Sequence, residues 1–230
     1  MKIVVLTGAG ISAESGVPTF RDADGLWEGH RVEDVATPEA FVSDPETVLR
    51  FYDDRREALG SVVPNPAHTA LAELEQRLGE NLLLVTQNID DLHERAGSER
   101  VLHMHGELLS ALCAACEERS RPWTGPMLGA TCRSCEGELR PDVVWFGEVP
   151  YEMDRIFAAL YEADLFVAIG TSGVVYPAAA FVQFAAGGGA RTLELNLVAS
   201  DISGDFDESR EGPAGILVPA WVEEVLAGEL

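Results

Sequence analysis

Lysine is all but missing from this sequence. Lys2 is the only one, the other 15 basic residues are arginine, and 39 Asp and Glu leave a formal charge of −23 over 230 residues. So acidic a chain disfavours sequence-independent binding to nucleic acid or to an anionic membrane, since gripping phosphates takes many cations. The acidity fits either an acidic soluble surface encoded by a GC-rich bacterial genome or a cytoplasm of high salt, where screening weakens repulsion between carboxylates. No apolar run reaches about 18 residues, which excludes a membrane-spanning helix. The stretch after Met1 enters an apolar segment with no cationic leader, so the expectation is a soluble, cytoplasmic protein. Aromatic residues make up only 7%, yet 47% of the chain is apolar. That is enough for the core of one large domain, or of a domain carrying a small insert.

Short, near-continuous runs of Val, Leu and Ile at residues 2–7, 81–86, 100–104, 143–146, 165–169 and 192–197 predict strands covered on both faces. Helical patterns lie between them at 66–78 (with Asn65 as N-cap), 151–161 and 176–186, and a last helix is expected to start near Pro219. The alternation predicts an α/β fold with a parallel sheet. Two stretches break it: a polar, proline-containing one at 17–59 and a cysteine-bearing one at 108–140.

The first strand runs into Gly8-Ala9-Gly10-Ile11-Ser12-Ala13, a G-x-G-x-x-A turn opening a helix at 11–15. A strand before and a helix after are the context this motif requires, with backbone N–H groups and the helix N-terminus offered to a pyrophosphate. A dehydrogenase would place an acid about 20 residues on, at the end of a second strand. Here that interval reads Pro18, Thr19, Phe20, Arg21 and Asp22, which is loop chemistry. Further polar groups gather at other strand ends: Gln87, Asn88 and Asp90, then Gly170-Thr171-Ser172, then Asn196-Leu197. Amides and carboxylates placed there are costly to bury unless something hydrogen-bonds to them, and the carboxyl ends of parallel strands are where ligands sit. One nucleotide contacted by all three loops satisfies both conditions.

The cysteines are few and their spacing is specific. Cys113 and Cys116 form one C-x-x-C, Cys132 and Cys135 another, with 15 residues between the pairs. Four thiolates so spaced read as a closed, structural Zn²⁺ site. Two disulfides or two redox-active pairs are the alternatives, the first disfavoured in a cytoplasmic protein and the second by its double occurrence. His103 and His105 flank Met104 at a strand end, and on a strand they share a face. His105 abuts Gly106 and the cysteine lobe, which points it into a cleft as a general base of suitable pKa.

Taken in order, "GAGISAESGVPTFRD", "TQNIDDLHERAG", "HGEL", the paired C-x-x-C, "PDVVWFGE", "GTSGVVYPAA" and "NL" make the chain resemble the sirtuins, a family of NAD-dependent protein deacylases. Met104 stands where that family usually has Leu or a similar apolar residue, a conservative departure. The resemblance implies a Rossmann-like large lobe of residues 1–35, 61–107 and 141–230. A small lobe would comprise a helical insertion at 36–60 and a zinc module at 108–140. It implies NAD consumed as co-substrate, with Phe20 and Arg21 in a mobile cofactor-binding loop. Gly8, Ala9, Gly10, Gly170, Thr171 and Ser172 would line phosphates and ribose, and Asn196, Leu197 and Ala214 the adenosine end. Gln87 joins this cofactor set, while Asn88, Ile89 and Asp90 form the nicotinamide pocket, Asn88 and Asp90 acting beside His105 in catalysis. Acyl-lysine proteins or peptides are the implied partners, their backbone adding a strand between 144–148 and 173–176 against Val144 and Phe146.

Within 36–59, Tyr52 and Arg55 stand three apart on a predicted helix and share a face. Spacing alone favours a solvated face on which Arg55 pairs with acids such as Asp54 or Glu57. The segment resembles the desuccinylase-type branch of sirtuins, whose Tyr-x-x-Arg holds the acid end of succinyl- or malonyl-lysine, Ala36 leaving room for the longer chain. A dehydrogenase with a zinc lobe, a non-catalytic NAD-binding module and a mono-ADP-ribosyltransferase are the competing functional classes.

Overall fold

The computed structural model describes residues 1–19, 27 and 29–228. Among them, β1 (Ile3–Thr7), β2 (Leu82–Thr86), β3 (Val101–His103), β7 (Leu165–Ile169), β8 (Arg191–Asn196) and β9 (Glu208–Glu211) form one sheet in the order β3-β2-β1-β7-β8-β9. Every pairing in it is parallel. Thr7 stands level with Thr86 and Ile169, and Ile169 with Leu195, so the strands end along one edge.

Both faces are covered, which is why the central strands are mostly apolar, β1 and β2 each closing on a buried threonine. On one face α5 (Pro66–Leu78) and α9 (Ala214–Ala227) bury Leu71, Leu74, Trp221 and Val222 with Val5 and Val167. On the other, α7 (Met153–Glu162) and α8 (Phe181–Gly188) bury Ile156, Leu160, Phe181 and Val182 with Val4 and Phe166. Asn65 caps α5 by accepting the Ala67 N–H at 2.9 Å. The remaining segments share a separate core. Short helices α2 (Val32–Val35) and α3 (Pro38–Ser43) and the longer α4 (Pro45–Leu59) pack Val35, Phe41, Val48 and Phe51 with Leu108, Met127 and Trp145. Thr37 and Asp44 cap α3 and α4, each followed by a proline whose missing N–H costs nothing at a first helical position. The cysteine segment contributes an antiparallel sheet β5-β4-β6 from β4 (Gly106–Cys113), β5 (Arg119–Ser120) and β6 (Leu139–Val143). Two single-turn helices, α1 (Ala9–Ala13) and α6 (Leu92–Arg95), follow β1 and the loop after β2. Among the described residues no helix is long and apolar enough to cross a membrane.

Several expected boundaries move. The run 143–146 is not a strand of the parallel sheet: β6 ends at Val143, and the apolar residues after it instead carry Trp145 into the small core. The last helix starts at Ala214 and runs through Pro219, burial of Val218, Trp221, Val222 and Val225 outweighing the lost backbone bond. The helix expected at 11–15 begins at Ala9, and that expected at 176–186 enters through a 3₁₀ turn before α8. Strand β9 reads Glu-Ser-Arg-Glu, an edge strand with no apolar run to announce it.

Candidate active site

The glycine turn fits by shape. A Cβ on Gly10 would meet the Gly170 backbone at 2.7–3.0 Å, and one on Gly170, at φ +63°, would meet Ile11 N at 2.4 Å. The turn after β1 therefore packs directly on the turn after β7. The Gly8 and Gly10 N–H groups are donated to the Ile169 and Gly170 carbonyls at 3.0 and 2.9 Å. These two glycines thus permit the close approach of the two turns, and their own N–H donors are taken up inside the protein, not offered to a pyrophosphate as the motif predicts.

Beside them, the loop after β2 is held by a buried polar network. Asn88 Nδ2 donates to Gly8 O at 3.1 Å and to Ser12 Oγ at 3.2 Å, and Ser12 Oγ donates to Asp90 Oδ2 at 3.0 Å. The Leu92 N–H completes Asp90 at 3.1 Å. Behind Ser12 lies His68 Nε2, at 3.4 Å, whose ring meets His93 edge to face at 4.9 Å; His93 Nε2 contacts Thr7 Oγ1 at 3.0 Å. Burial raises the Asp90 pKa against the bonds from Leu92 and Ser12. It lowers His68 to about 4 and His93 well below the usual imidazole value, so both rings are neutral near pH 7.

His103 and His105 face the same loop from its far side. His105 Nδ1 donates to Gln87 O at 3.0 Å, and His103 Nδ1 to Asn88 O at 3.1 Å. The bond to Gln87 fixes the His105 tautomer and leaves Nε2 as the free lone pair. Burial lowers the His105 pKa, the Gln87 bond opposing it only in part, so at neutral pH the ring is uncharged and able to take a proton.

At the other end of the cleft, Tyr52 on α4 is fully buried and accepts the Trp145 indole N–H at 3.0 Å. Burial raises its pKa against that bond and the Arg55 charge, keeping the phenol protonated. Arg55 lies over the Phe51 and Trp27 rings and donates to Phe51 O at 2.6 Å. Phe146 N donates to Ala36 O at 3.0 Å, and Val144 N to His105 O at 2.9 Å, tying the segment after β6 to the end of α2 and to the turn after β3.

The four cysteines converge. Their sulfur atoms all lie within 4.8 Å of one another, with Cys113–Cys135 at 3.4 Å and Cys116–Cys132 at 3.7 Å. A tetrahedral ZnS₄ centre with Zn–S near 2.3 Å has sulfurs about 3.8 Å apart, so the set fits that ion. Glu117 and Glu136, one residue past each C-x-x-C, take the left-handed φ values +59° and +58°. A Cβ on Gly137 would strike Ala115 Cβ at 2.8 Å and crowd the Cys135 and Cys113 sulfurs at 3.1 and 3.2 Å. The N–H groups of Cys116 and Ala115 directed at Cys113 Sγ hold that thiol at about 6 against desolvation, favouring the ligating thiolate.

One cleft of about 840 Å³ joins these parts. It is lined by Gly8, Ala9, Gly10, Gln87, Asn88, Ile89, Asp90, His105, Gly170, Thr171, Ser172, Asn196, Leu197 and Ala214, and also by Ala36, Tyr52, Arg55, Val144 and Phe146. Phe20 and Arg21 lie outside the described residues. Sequence reasoning missed Ser12, His68, His93 and the Trp145 contact. Only Ser12 carried a signal, its place inside the glycine motif.

The family model described as Sir2 family matches residues 8–177. The chain belongs to the Sir2 family. It is 54% identical to the NAD-dependent protein deacylase of Vibrio cholerae, over 99% of this chain and 94% of that protein. To the enzyme of the same name from Escherichia coli K12 it is 56% identical, over 99% and 83%. A solved Sir2 homologue mutant in complex with ADP-ribose superposes with a TM-score of 0.91 at 41% identity, covering 99% of this chain and 93% of that one. For a Sir2 family member, the α/β fold with its parallel sheet and a cysteine cluster suited to zinc are the expected frame.

Proposed function

We propose that this protein is an NAD-dependent protein-lysine deacylase whose acyl pocket admits succinyl and malonyl as well as acetyl groups. The observation that carries this reading is the position of His105, its tautomer set by Gln87, in a cleft lined by the glycine turn and by Tyr52 and Arg55. When bound, NAD would supply the ribose carbon that receives the acyl oxygen and the nicotinamide that leaves, and one water consumed in cleaving the acyl–lysine bond completes the products nicotinamide, free lysine and O-acyl-ADP-ribose. The chain's own tasks follow from its geometry. Gly8, Ala9, Gly10, Gly170, Thr171 and Ser172 accommodate the phosphates and ribose, and Asn196, Leu197 and Ala214 the adenosine. Gln87 flanks the nicotinamide pocket of Asn88, Ile89 and Asp90, whose polar groups are pre-ordered by Ser12. His105 Nε2 takes the proton of a ribose hydroxyl. Asp90 and the neighbouring amide of Asn88 hold the leaving group's site in shape.

The peptide would lie along 144–148 and 173–176. The N–H groups of Val144, Phe146 and Glu148 are already donated to His105 O, Ala36 O and Trp145 O. An added strand pairs here through carbonyl groups, a main-chain mode that reads little side-chain sequence. The division into a Rossmann-like lobe and a small lobe of 36–60 and 108–140 is consistent with the separate core around Trp145. Cys113, Cys116, Cys132 and Cys135 would hold Zn²⁺ as structural support, with no open position for chemistry.

Nicotinamide release from NAD in the presence and absence of an acylated peptide tests the reading. Release that requires the peptide, with ADP-ribose recovered on the acyl group, is the expected result. ADP-ribose recovered on protein would make the enzyme a mono-ADP-ribosyltransferase instead.

A further inference from the structure

His103 and His105 sit two residues apart, and each donates Nδ1–H to a main-chain carbonyl of the same loop, Asn88 O and Gln87 O respectively. His103 differs in what its second nitrogen meets. Nε2 lies 2.7 Å from Glu94 Oε1, on α6. A carbonyl and a carboxylate can only accept, so a ring bonded to both must carry both protons. The His103 side chain is only 5% exposed, and the second oxygen of Glu94 is buried with no hydrogen-bond partner among the described residues. An unprotonated ring would therefore break one of two buried bonds and leave the Glu94 charge uncompensated.

We propose that His103 is a positioning residue: as an imidazolium it ties the Gln87–Asp90 loop to β3 and α6, and NAD is gripped at its nicotinamide end only while that tie is intact. The mechanical link is short. The residue whose carbonyl His103 holds is Asn88, whose side-chain amide reaches Gly8 O and Ser12 Oγ and whose backbone leads to Asp90. The adenosine end of the cleft, lined by Asn196, Leu197 and Ala214, is built from other segments.

The groups facing the ring come from three elements: Glu94 and His93 from α6, Asp90 from the loop, and Glu107 from β4, itself paired with Arg121. His93 is neutral, so carboxylates dominate. Burial pulls the His103 pKa down, but the Glu94 hydrogen bond and charge, with Glu107, outweigh it and leave the pKa raised. A raised imidazole pKa means the tie is present at low pH and is lost as pH rises through the folded value. His105, shifted downward, is uncharged across that transition.

The inference rests on the NAD-binding reading, and its test uses binding, not turnover. Histidine-labelled protein is titrated by NMR, and the affinities for NAD and ADP-ribose are measured calorimetrically between about pH 6 and 9, in wild type and in Glu94→Gln. Glu94→Gln keeps an acceptor oxygen on a half-exposed side chain while removing its charge. His103 should titrate above the ordinary imidazole range, and NAD affinity should fall about tenfold across that titration while ADP-ribose affinity stays level. In Glu94→Gln both the His103 midpoint and the NAD transition should move to lower pH together. Three results would each overturn this proposal alone: a His103 midpoint at or below the ordinary value, an NAD transition that stays in place when the midpoint moves, or ADP-ribose weakening in step with NAD. A wild type that bound neither ligand at any pH would overturn the functional reading as well.

Discussion

Trp145 Nε1 donates to the Tyr52 phenolic oxygen at 3.0 Å, with both side chains at 2% exposure or less. By taking a lone pair, the indole leaves the phenol's own proton to be donated into the cleft, which Arg55 also lines. Replacing Arg55 with Met should raise KM for a succinyl-peptide by the loss of a charge-assisted contact, about 1.5–3 kcal/mol or roughly 10- to 150-fold. Acetyl-peptide kinetics should be nearly unchanged. Tyr52→Phe should show the same selectivity and also lose about 1–3 kcal/mol of stability, since the Trp145 N–H is left without a partner. Steady-state kinetics on the paired substrates decide it: equal losses on both would remove Arg55 and Tyr52 from acyl recognition.

His105→Ala should lower deacylation by about 10²–10⁴-fold with NAD binding retained. Because burial depresses the His105 pKa, the acid limb of wild-type kcat/KM against pH should fall below the ordinary imidazole value. A limb at or above 6.5 would show that the base is solvated or is another group.

Cys132→Ala opens the thiolate set, so it should release bound zinc and lower Tm; a strong chelator should have the same effect on the wild type. Activity should decline with the fold, through the shared core that contains Cys132, Met127, Tyr52 and Trp145. Metal analysis that finds no zinc and two oxidised cysteine pairs would refute the site.

His68 carries a stability signature. Its folded pKa of about 4 lies below the unfolded 6.5, so the unfolded chain binds the extra proton first as pH falls. Stability is full above about pH 6.5 and is lost progressively toward pH 4, on the order of 3 kcal/mol from this group. His93 acts with the same sign, while Asp90, with its raised pKa, partly offsets them. Thermal melts over that window should show a shallower slope in His68→Gln than in the wild type. Parallel slopes would mean that His68 is charged in the fold.

The parts of the site legible in sequence were those whose chemistry is local. β1 and β7 are largely apolar five-residue strands because both faces are covered, and each delivers its glycine within one residue of the strand end. The C-x-x-C pairs specify a ligand set by spacing alone. The polar network under the cleft was not legible, because its contacts join residues far apart in sequence: Ser12 to His68 across 56 positions, Thr7 to His93 across 86. A lone buried histidine on a helix has no signature apart from its tertiary partners. The 143–146 run shows a related limit, since apolar composition signals burial and does not say whether a strand or a loop does the burying.

Lys2 ends where this chemistry does not. Its ammonium pairs with Glu162 at 2.7 Å, at the start of β1, whereas the cleft opens beyond the far end of that strand. No lysine ammonium therefore stands near the cleft. The same placement allows an amine-directed dye or resin to fix the lysine side chain at a single point, with the substrate entrance left facing away from the support.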